Sequence, residues 1–89
     1  MGNLYLIDKP YGSNGLALAQ QDQEAAIVLI QDGVYLDASE ASRAGRPVYA
    51  VKRDVERRGL NGKLSTEIKT IGFDELVDLI LENRVINFA

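Results

Sequence analysis

The 89-residue chain is 46% apolar and 26% charged, as in an ordinary soluble globular protein, and 13 acidic against 10 basic residues leave a net charge of −3. This negative total argues against non-specific binding to DNA, RNA or an anionic membrane, because each would repel the chain. Cys and His are both absent. The absence of Cys excludes disulfides, thiolate nucleophiles and persulfide carriers, the absence of His excludes Ser-His-Asp triads, and together they exclude Cys/His metal sites. We therefore predict no enzyme activity, catalytic residue, cofactor or metal.

Short apolar runs alternate with helical patterns, which predicts an α/β layer fold. Residues 3–7 predict a first strand, residues 8–15 a turn-rich loop and residues 16–23 a short helix. The run at 25–30 is continuously apolar and rich in β-branched residues. It is typical of a strand buried on both faces, as in a parallel sheet covered by helices on both sides.

The second half of the chain continues the alternation of helices and strands. It predicts a short helix at 34–44, a third strand at 46–51, another short helix at 53–59 and a fourth strand at 65–71. Gly45 and Gly59 suit the left-handed position at the end of the two helices. The fourth strand alternates polar and apolar residues, so we expect it at an edge of the sheet.

The last helix has the clearest pattern. Its apolar residues recur at helical spacing and predict one stripe buried against the sheet, formed by Phe73, Leu76, Val77, Ile80 and Leu81. Either Gly72 or Asp74 is expected as its N-cap. The tail at 84–89 contains Val85, Ile86 and Phe88, which either complete the core or form an exposed patch that needs a partner.

The segment Gln31–Gly33 follows the strand at 25–30, at the carboxyl edge where open α/β sheets bind ligands. Asp-Gly is also a turn sequence, in which Asp accepts from backbone amides two residues on and Gly adopts a positive φ. We favour the turn, with Asp32 as a candidate contact residue and not a catalytic acid.

Two other segments have a structural and a functional interpretation. Gly12 and Gly15 lack the Gly-Lys-Ser/Thr ending of a phosphate loop and the spacing of a dinucleotide fingerprint, so we favour an ordinary loop. A basic cluster comprises Lys52, Arg53, Arg57, Arg58 and Lys63, interrupted by Asp54 and Glu56. It predicts either a patch for RNA or an acidic partner, or a solvated helix with ion pairs such as Arg53 with Glu56 and Asp54 with Arg57 or Arg58. We favour the solvated helix.

The chain has no stretch of about 20 apolar residues and no signal peptide. Leu6 occupies the position where a myristoylation signal requires Ser or Thr. We therefore expect a single cytoplasmic domain over residues 1–89.

Three segments resemble, in order and spacing, the DsrH/TusB family of small sulfur-relay proteins. They are VLIQDGVY at 28–35, PVYAVKRDVERRGL at 47–60 and IGFDELVDLI at 71–80. The opening LYLIDKPYGSN, at 4–14, is similar to the family's first strand and turn. The likeness extends from about Leu4 to Leu81.

This resemblance implies a three-layer α/β/α fold with a mostly parallel sheet of about four strands. It also implies association with homologous DsrE/DsrF (TusD/TusC) subunits into hexamers. Self-association of this chain into a homo-oligomer stays open as an alternative. Such complexes pass persulfide sulfur toward 2-thiolation of the tRNA wobble uridine in the Tus branch, or serve sulfur oxidation in the Dsr branch.

Two departures from the family pattern define the expected role. Some members carry a cysteine in the first helix, but residues 15–23 contain none, so the resemblance implies a non-catalytic accessory subunit beside a DsrE/TusD-type subunit that carries the relay cysteine. The family's Trp-containing tail is replaced by INFA, in which Phe88 is the only aromatic residue. Candidate subunit-interface or strand-end contacts are Asp32, Gly33, Lys52, Arg53 and Phe88.

Two alternative functions remain at the level of sequence. A stand-alone homo-oligomeric module would bind an anion or small metabolite at the strand ends, through residues 9–15 and Asp32. A tRNA-binding adaptor would use residues 52–63, but the acidic total disfavours it.

Overall fold

The computed structural model describes residues 2–89, which form a five-stranded, all-parallel sheet in the order β4-β3-β2-β1-β5. The strands are β1 Gly2–Ile7, β2 Ala25–Leu29, β3 Val48–Val51, β4 Lys69–Ile71 and β5 Asn83–Phe88. The helices are α1 Gly12–Gln21, α2 Ser39–Arg43, α3 Lys52–Arg57 and α4 Phe73–Glu82, with 3-10 helices at Lys9–Tyr11 and Gln31–Tyr35. The predicted α/β class is confirmed, and the sheet has one strand more than expected.

Helices cover the two faces of the sheet unequally. On one face α1, α2 and α3 bury Ala19, Ala41 and Val55 in the larger core cluster. On the other face α4 alone packs Leu76 and Leu79 against a smaller cluster of Leu4, Val28, Val51 and Ile71. The three-layer arrangement is therefore confirmed. Residues of β2 belong to both clusters, as its continuously apolar sequence predicts.

The tail forms a strand that the sequence analysis did not predict. β5 pairs in parallel with β1, from Gly2 opposite Asn83 to Ile7 opposite Phe88. Ile86 and Phe88 pack against the larger core cluster, so this side of the tail completes the core. The run lacks clean alternation of polar and apolar residues, and Asn is depleted in strands. The topology of the fold gives the remaining indication of β5. In a parallel sheet a crossover helix such as α4 leads into a further strand.

Several predicted elements differ in their bounds. β4 lies at an edge, as predicted, but it has three residues because residues 65–68 form a turn. The helix expected at 34–44 is reduced to α2, which follows a 3-10 helix. Gly45 and Gly59 have φ angles of +88° and +65°, which confirms their left-handed positions after α2 and α3.

The burial predicted for α4 is wrong. Gly72 is its N-cap, but no residue of α4 is buried. Leu76 and Leu79 are half-buried and face the sheet, whereas Phe73, Val77, Ile80 and Leu81 are 58, 51, 38 and 75% exposed. A single helix on a sheet contacts it through one narrow side. Because α1, α2 and α3 all lie on the opposite face, none of them covers the flank of α4. Within residues 2–89, no helix has the length and apolar character needed to cross a membrane.

Candidate functional site

The structure places all five predicted contact residues at the carboxyl edge of the sheet. Asp32 and Gly33 follow β2, Lys52 and Arg53 follow β3, and Phe88 ends β5. Because the strands are parallel, their carboxyl ends lie at the same edge, where open α/β sheets bind ligands and partners. The contact role of these residues stays a prediction.

A charged network joins the loop after β2 to the end of α3. Arg58 Nε donates to Asp32 Oδ1 at 2.9 Å, and Arg58 Nη1 lies 3.5 Å from Asp54 Oδ1. Asp54 Oδ2 accepts from the backbone N–H of Gln31 at 2.8 Å. The hydrogen bond to Asp32, aided by the charges of Asp32 and Asp54, raises the pKa of Arg58 above its ordinary value. The guanidinium is thus a permanent positive charge between two carboxylates.

Asp32 and Gly33 turn the chain, but through different atoms from those expected. The Gly33 N–H donates to the carbonyl of Ile30 at 2.7 Å, which closes a 3-10 turn. The Asp32 carboxylate accepts from Arg58 and from no backbone N–H within residues 2–89, so the predicted hydrogen bond from a backbone amide two residues on is wrong. The positive φ falls on Gln31, at +51°, and not on Gly33. The Asp54 carboxylate holds Gln31 in this conformation.

Gly33 is needed for close packing. Gly33 is buried, and a Cβ atom at this position would overlap the carbonyl oxygen of Ile7 at the end of β1. The loop after β2 therefore rests directly on the backbone of β1. Only glycine allows this approach, because any side chain would push the two segments apart.

Phe88 is half-buried and packs against the larger core cluster. Its ring stacks on the Tyr5 ring with a centroid distance of 6.2 Å and an interplanar angle of 5°. Gly15 makes room for it, since a Cβ atom there would lie 3.1 Å from Phe88 Cγ. Both Gly12 and Gly15 belong to α1, so the predicted loop over 8–15 is wrong beyond Tyr11. These glycines serve helix packing.

The basic cluster is not one uniform patch. Arg58 is half-buried in the network with Asp54, one of the predicted ion pairs, whereas the predicted pairs Arg53–Glu56 and Asp54–Arg57 are absent from residues 2–89. The exposed members are Lys52, Arg53, Arg57 and Lys63. α3 is therefore a solvated helix that presents cations at the carboxyl edge.

A second polar cluster, at the amino edge, was missed by the sequence analysis. Asp22 Oδ2 accepts from Asn3 Nδ2 at 2.7 Å and from the Tyr5 hydroxyl at 3.0 Å, and Asp22 Oδ1 accepts from the Glu24 N–H at 2.9 Å. These bonds, that from Asn3 most of all, lower the pKa of Asp22. Burial, followed by the bond to Asp22, raises the pKa of Tyr5. The cluster ties α1 to β1 and β2. Its partners are up to 19 positions apart, so local spacing gives no signal for it.

Comparison with known proteins relates this architecture to one family. The model of the family described as DsrH like protein matches residues 11–86. Over 68 residues the chain is 34% identical to Protein TusB of Pectobacterium carotovorum subsp. carotovorum (strain PC1), covering 70% of this chain and 72% of the relative. Over 64 residues it is 38% identical to Protein TusB of Enterobacter sp. (strain 638), covering 64% and 66%.

Among solved structures, the crystal structure of the ychN protein from E. coli matches with a TM-score of 0.82 over 99% of both chains. At 20% identity this likeness shows a common fold alone. The family match extends over most of the chain and agrees with the segments singled out in the sequence. The chain belongs to the DsrH-like protein family.

Proposed function

We propose that this chain is a non-catalytic accessory subunit of a sulfur-relay complex, acting toward 2-thiolation of the tRNA wobble uridine or in Dsr-type sulfur oxidation. The observation that carries this proposal is membership of the DsrH-like family in a chain without any cysteine. In persulfide transfer the acceptor thiolate attacks the outer sulfur and the donor cysteine leaves as a thiolate. A chain without a thiol cannot take either role.

The relay cysteine therefore belongs to a partner, and the proposed partners are DsrE/DsrF (TusD/TusC)-like subunits. Lys52 and Arg53 are exposed at the start of α3 and are available for contact. Gly33 and Phe88 would act from inside, since they fix the loop after β2 and the end of β5. Asp32 would act with Arg58, which holds it in place.

Sulfur transfer in a reconstituted mixture tests the proposal. Purified DsrE/DsrF-like subunits receive labelled sulfur from a persulfide donor, with and without this chain, and the label on the partner cysteine is followed over time. We expect labelling to be several-fold faster with the chain present. Equal labelling rates in its absence would contradict the accessory role.

Two variants test whether the carboxyl edge is needed for the faster labelling. Replacing Lys52 and Arg53 together by Ala removes two exposed cations from α3, and we expect it to reduce the stimulation of labelling. Arg43→Ala combined with Arg84→Ala is the matched control, because it removes two exposed cations outside the carboxyl edge, at the end of α2 and near the start of β5. Equal effects of the two variants would show that the position of the cations is unimportant.

A further inference from the structure

Three residues of the chain have a side-chain carbonyl and directly precede a glycine, a sequence that is prone to spontaneous ring closure. The pairs are Asn14 with Gly15, Asp32 with Gly33, and Asn61 with Gly62. In this reaction the backbone nitrogen of the glycine attacks the side-chain carbonyl carbon, and glycine favours the attack because it has no Cβ atom to hinder it. The sequence does not distinguish the two Asn-Gly pairs, so the folded structure decides which of them reacts.

The fold protects the first two pairs. Gly15 is buried in α1, and the N–H groups of a helix are bound to carbonyl groups four residues back. Gly33 is also buried, and its N–H donates to the carbonyl of Ile30 at 2.7 Å. In both places the attacking nitrogen is held, so the ring can close only after local opening of the fold.

Asn61 and Gly62 lie instead in an exposed turn between α3 and β4. The Lys63 N–H donates to the carbonyl of Leu60 at 2.9 Å, and Gly62 has a φ of +74°, which is the pattern of a type II turn. The N–H of the third residue takes no part in the bond that closes such a turn. Within residues 2–89 neither the Gly62 N–H nor the Asn61 side chain has a hydrogen-bond partner.

The space at this turn is open. A Cβ atom at Gly62 would meet no atom within 4 Å, so packing does not block the approach of the two groups. Water also reaches the turn, because Asn61 and Gly62 are both exposed. The turn therefore provides the three things that the reaction needs, which are a free backbone nitrogen, room for the ring and access to water.

We propose that Asn61 is a site of spontaneous deamidation, with water as the co-reactant. The Gly62 nitrogen loses its proton and bonds to Asn61 Cγ, the Cγ–Nδ2 bond breaks, and the side-chain nitrogen leaves as ammonia with that proton. Water then opens the succinimide ring. Cleavage of the new N–Cγ bond gives an aspartate at position 61, and cleavage of the original peptide bond gives an isoaspartate. No oxidant or reductant takes part.

Either product changes the loop between α3 and β4. Each adds one negative charge to the −3 of the unmodified chain, next to Lys63 of the basic cluster. Isoaspartate also inserts a methylene group into the main chain. Leu60 and Leu64, on the two sides of the turn, pack against the larger core cluster, so a longer main chain disturbs their packing. The inference goes beyond the proposed function, because it concerns the chain whether or not a relay partner binds.

Ageing of the purified chain in mildly alkaline buffer tests the inference, because the attacking nitrogen must lose its proton. Peptide mass mapping locates each change from amide to acid, and an isoaspartyl methyltransferase detects isoaspartate. In the folded chain we expect Asn61 to be converted at least about tenfold faster than Asn14, because the nitrogen of Gly15 is released only by opening of α1. In urea the two rates should become similar, since both residues precede glycine.

Two matched variants assign the ammonia that the folded chain releases. Asn61→Gln lengthens the side chain by one methylene group and disfavours the ring, so it should abolish most of the release. Asn14→Gln should leave the release unchanged. A folded chain in which Asn14 reacts as fast as Asn61 would overturn the inference, as would ammonia release that Asn61→Gln does not reduce. Conversion of Asn61 in urea but not in the folded chain would also overturn it, because the turn would then be protective.

Discussion

Arg58 and Asp32 are 26 positions apart, and the 2.9 Å bond between Arg58 Nε and Asp32 Oδ1 joins the end of α3 to the turn after β2. Arg58 also lies beside Asp54, which holds the backbone of Gln31. The shape of the carboxyl edge therefore depends on one guanidinium that has two carboxylate partners.

Arg58→Met should loosen this turn and lower the melting temperature, because it removes the cation that Asp32 and Asp54 share. Arg57→Met is the matched control, since Arg57 is exposed on the same helix and has no ion pair within residues 2–89. Amide hydrogen exchange at Gln31 and Gly33 should be faster in Arg58→Met alone. Equal protection in the two variants would show that the network does not order the turn.

Gly33→Ala should destabilise the fold strongly, since the new methyl group would overlap the carbonyl oxygen of Ile7. We expect a loss of about 3 kcal/mol in the free energy of unfolding, and a melting temperature lower by roughly 10–20 °C. Gly72→Ala is the control, because nothing lies within 4 Å of a Cβ atom there. It should cost less than about 1 kcal/mol. Urea unfolding of both variants measures the difference, and similar losses would refute the close approach.

Phe88→Ala should cost about 2 kcal/mol, because it removes the stacking on Tyr5 and half-buried apolar surface over the larger core cluster. Phe73→Ala should cost the isolated chain less than about 1 kcal/mol, since Phe73 is exposed on α4. Chemical unfolding of the two variants compares one aromatic residue that anchors the core with one that lies on the surface. A larger loss for Phe73→Ala would reverse this assignment.

The Asp22 cluster predicts a specific dependence of stability on pH. Hydrogen bonds from Asn3 and Glu24 lower the pKa of Asp22, so the folded chain binds this proton less readily than the unfolded chain. The resulting stability is present at pH 7 and is lost as the pH falls from about 4 through the lowered pKa. Asp22→Asn lacks this contribution. The gap in melting temperature between wild type and variant should therefore be widest near pH 7 and close in acid; a gap constant with pH would contradict the lowered pKa.

The elements that could be predicted from sequence are those fixed by local pattern. The continuous apolar run of β2, the left-handed glycines at 45 and 59 and the helical spacing of α4 all appear where expected. Each depends on neighbours within a few positions, which the sequence displays directly.

The features that could not be predicted depend on distant partners. Gly33 faces Ile7, and Asp32 faces Arg58, so the role of each is set by the packing of β1 or α3 against the turn. The periodicity of α4 gives the apolar stripe but not the number of helices that share its face of the sheet. The stripe therefore predicts burial, where the structure shows a flank open to solvent.

The central claim, that this chain is an accessory subunit among homologous subunits, is tested most directly by light scattering on a sizing column. The chain is measured alone and after co-expression with DsrE/DsrF-like chains from the same genome. We predict a joint complex whose mass requires all the chains and in which this chain is stoichiometric. A chain that elutes separately from those subunits at micromolar concentration would contradict the account.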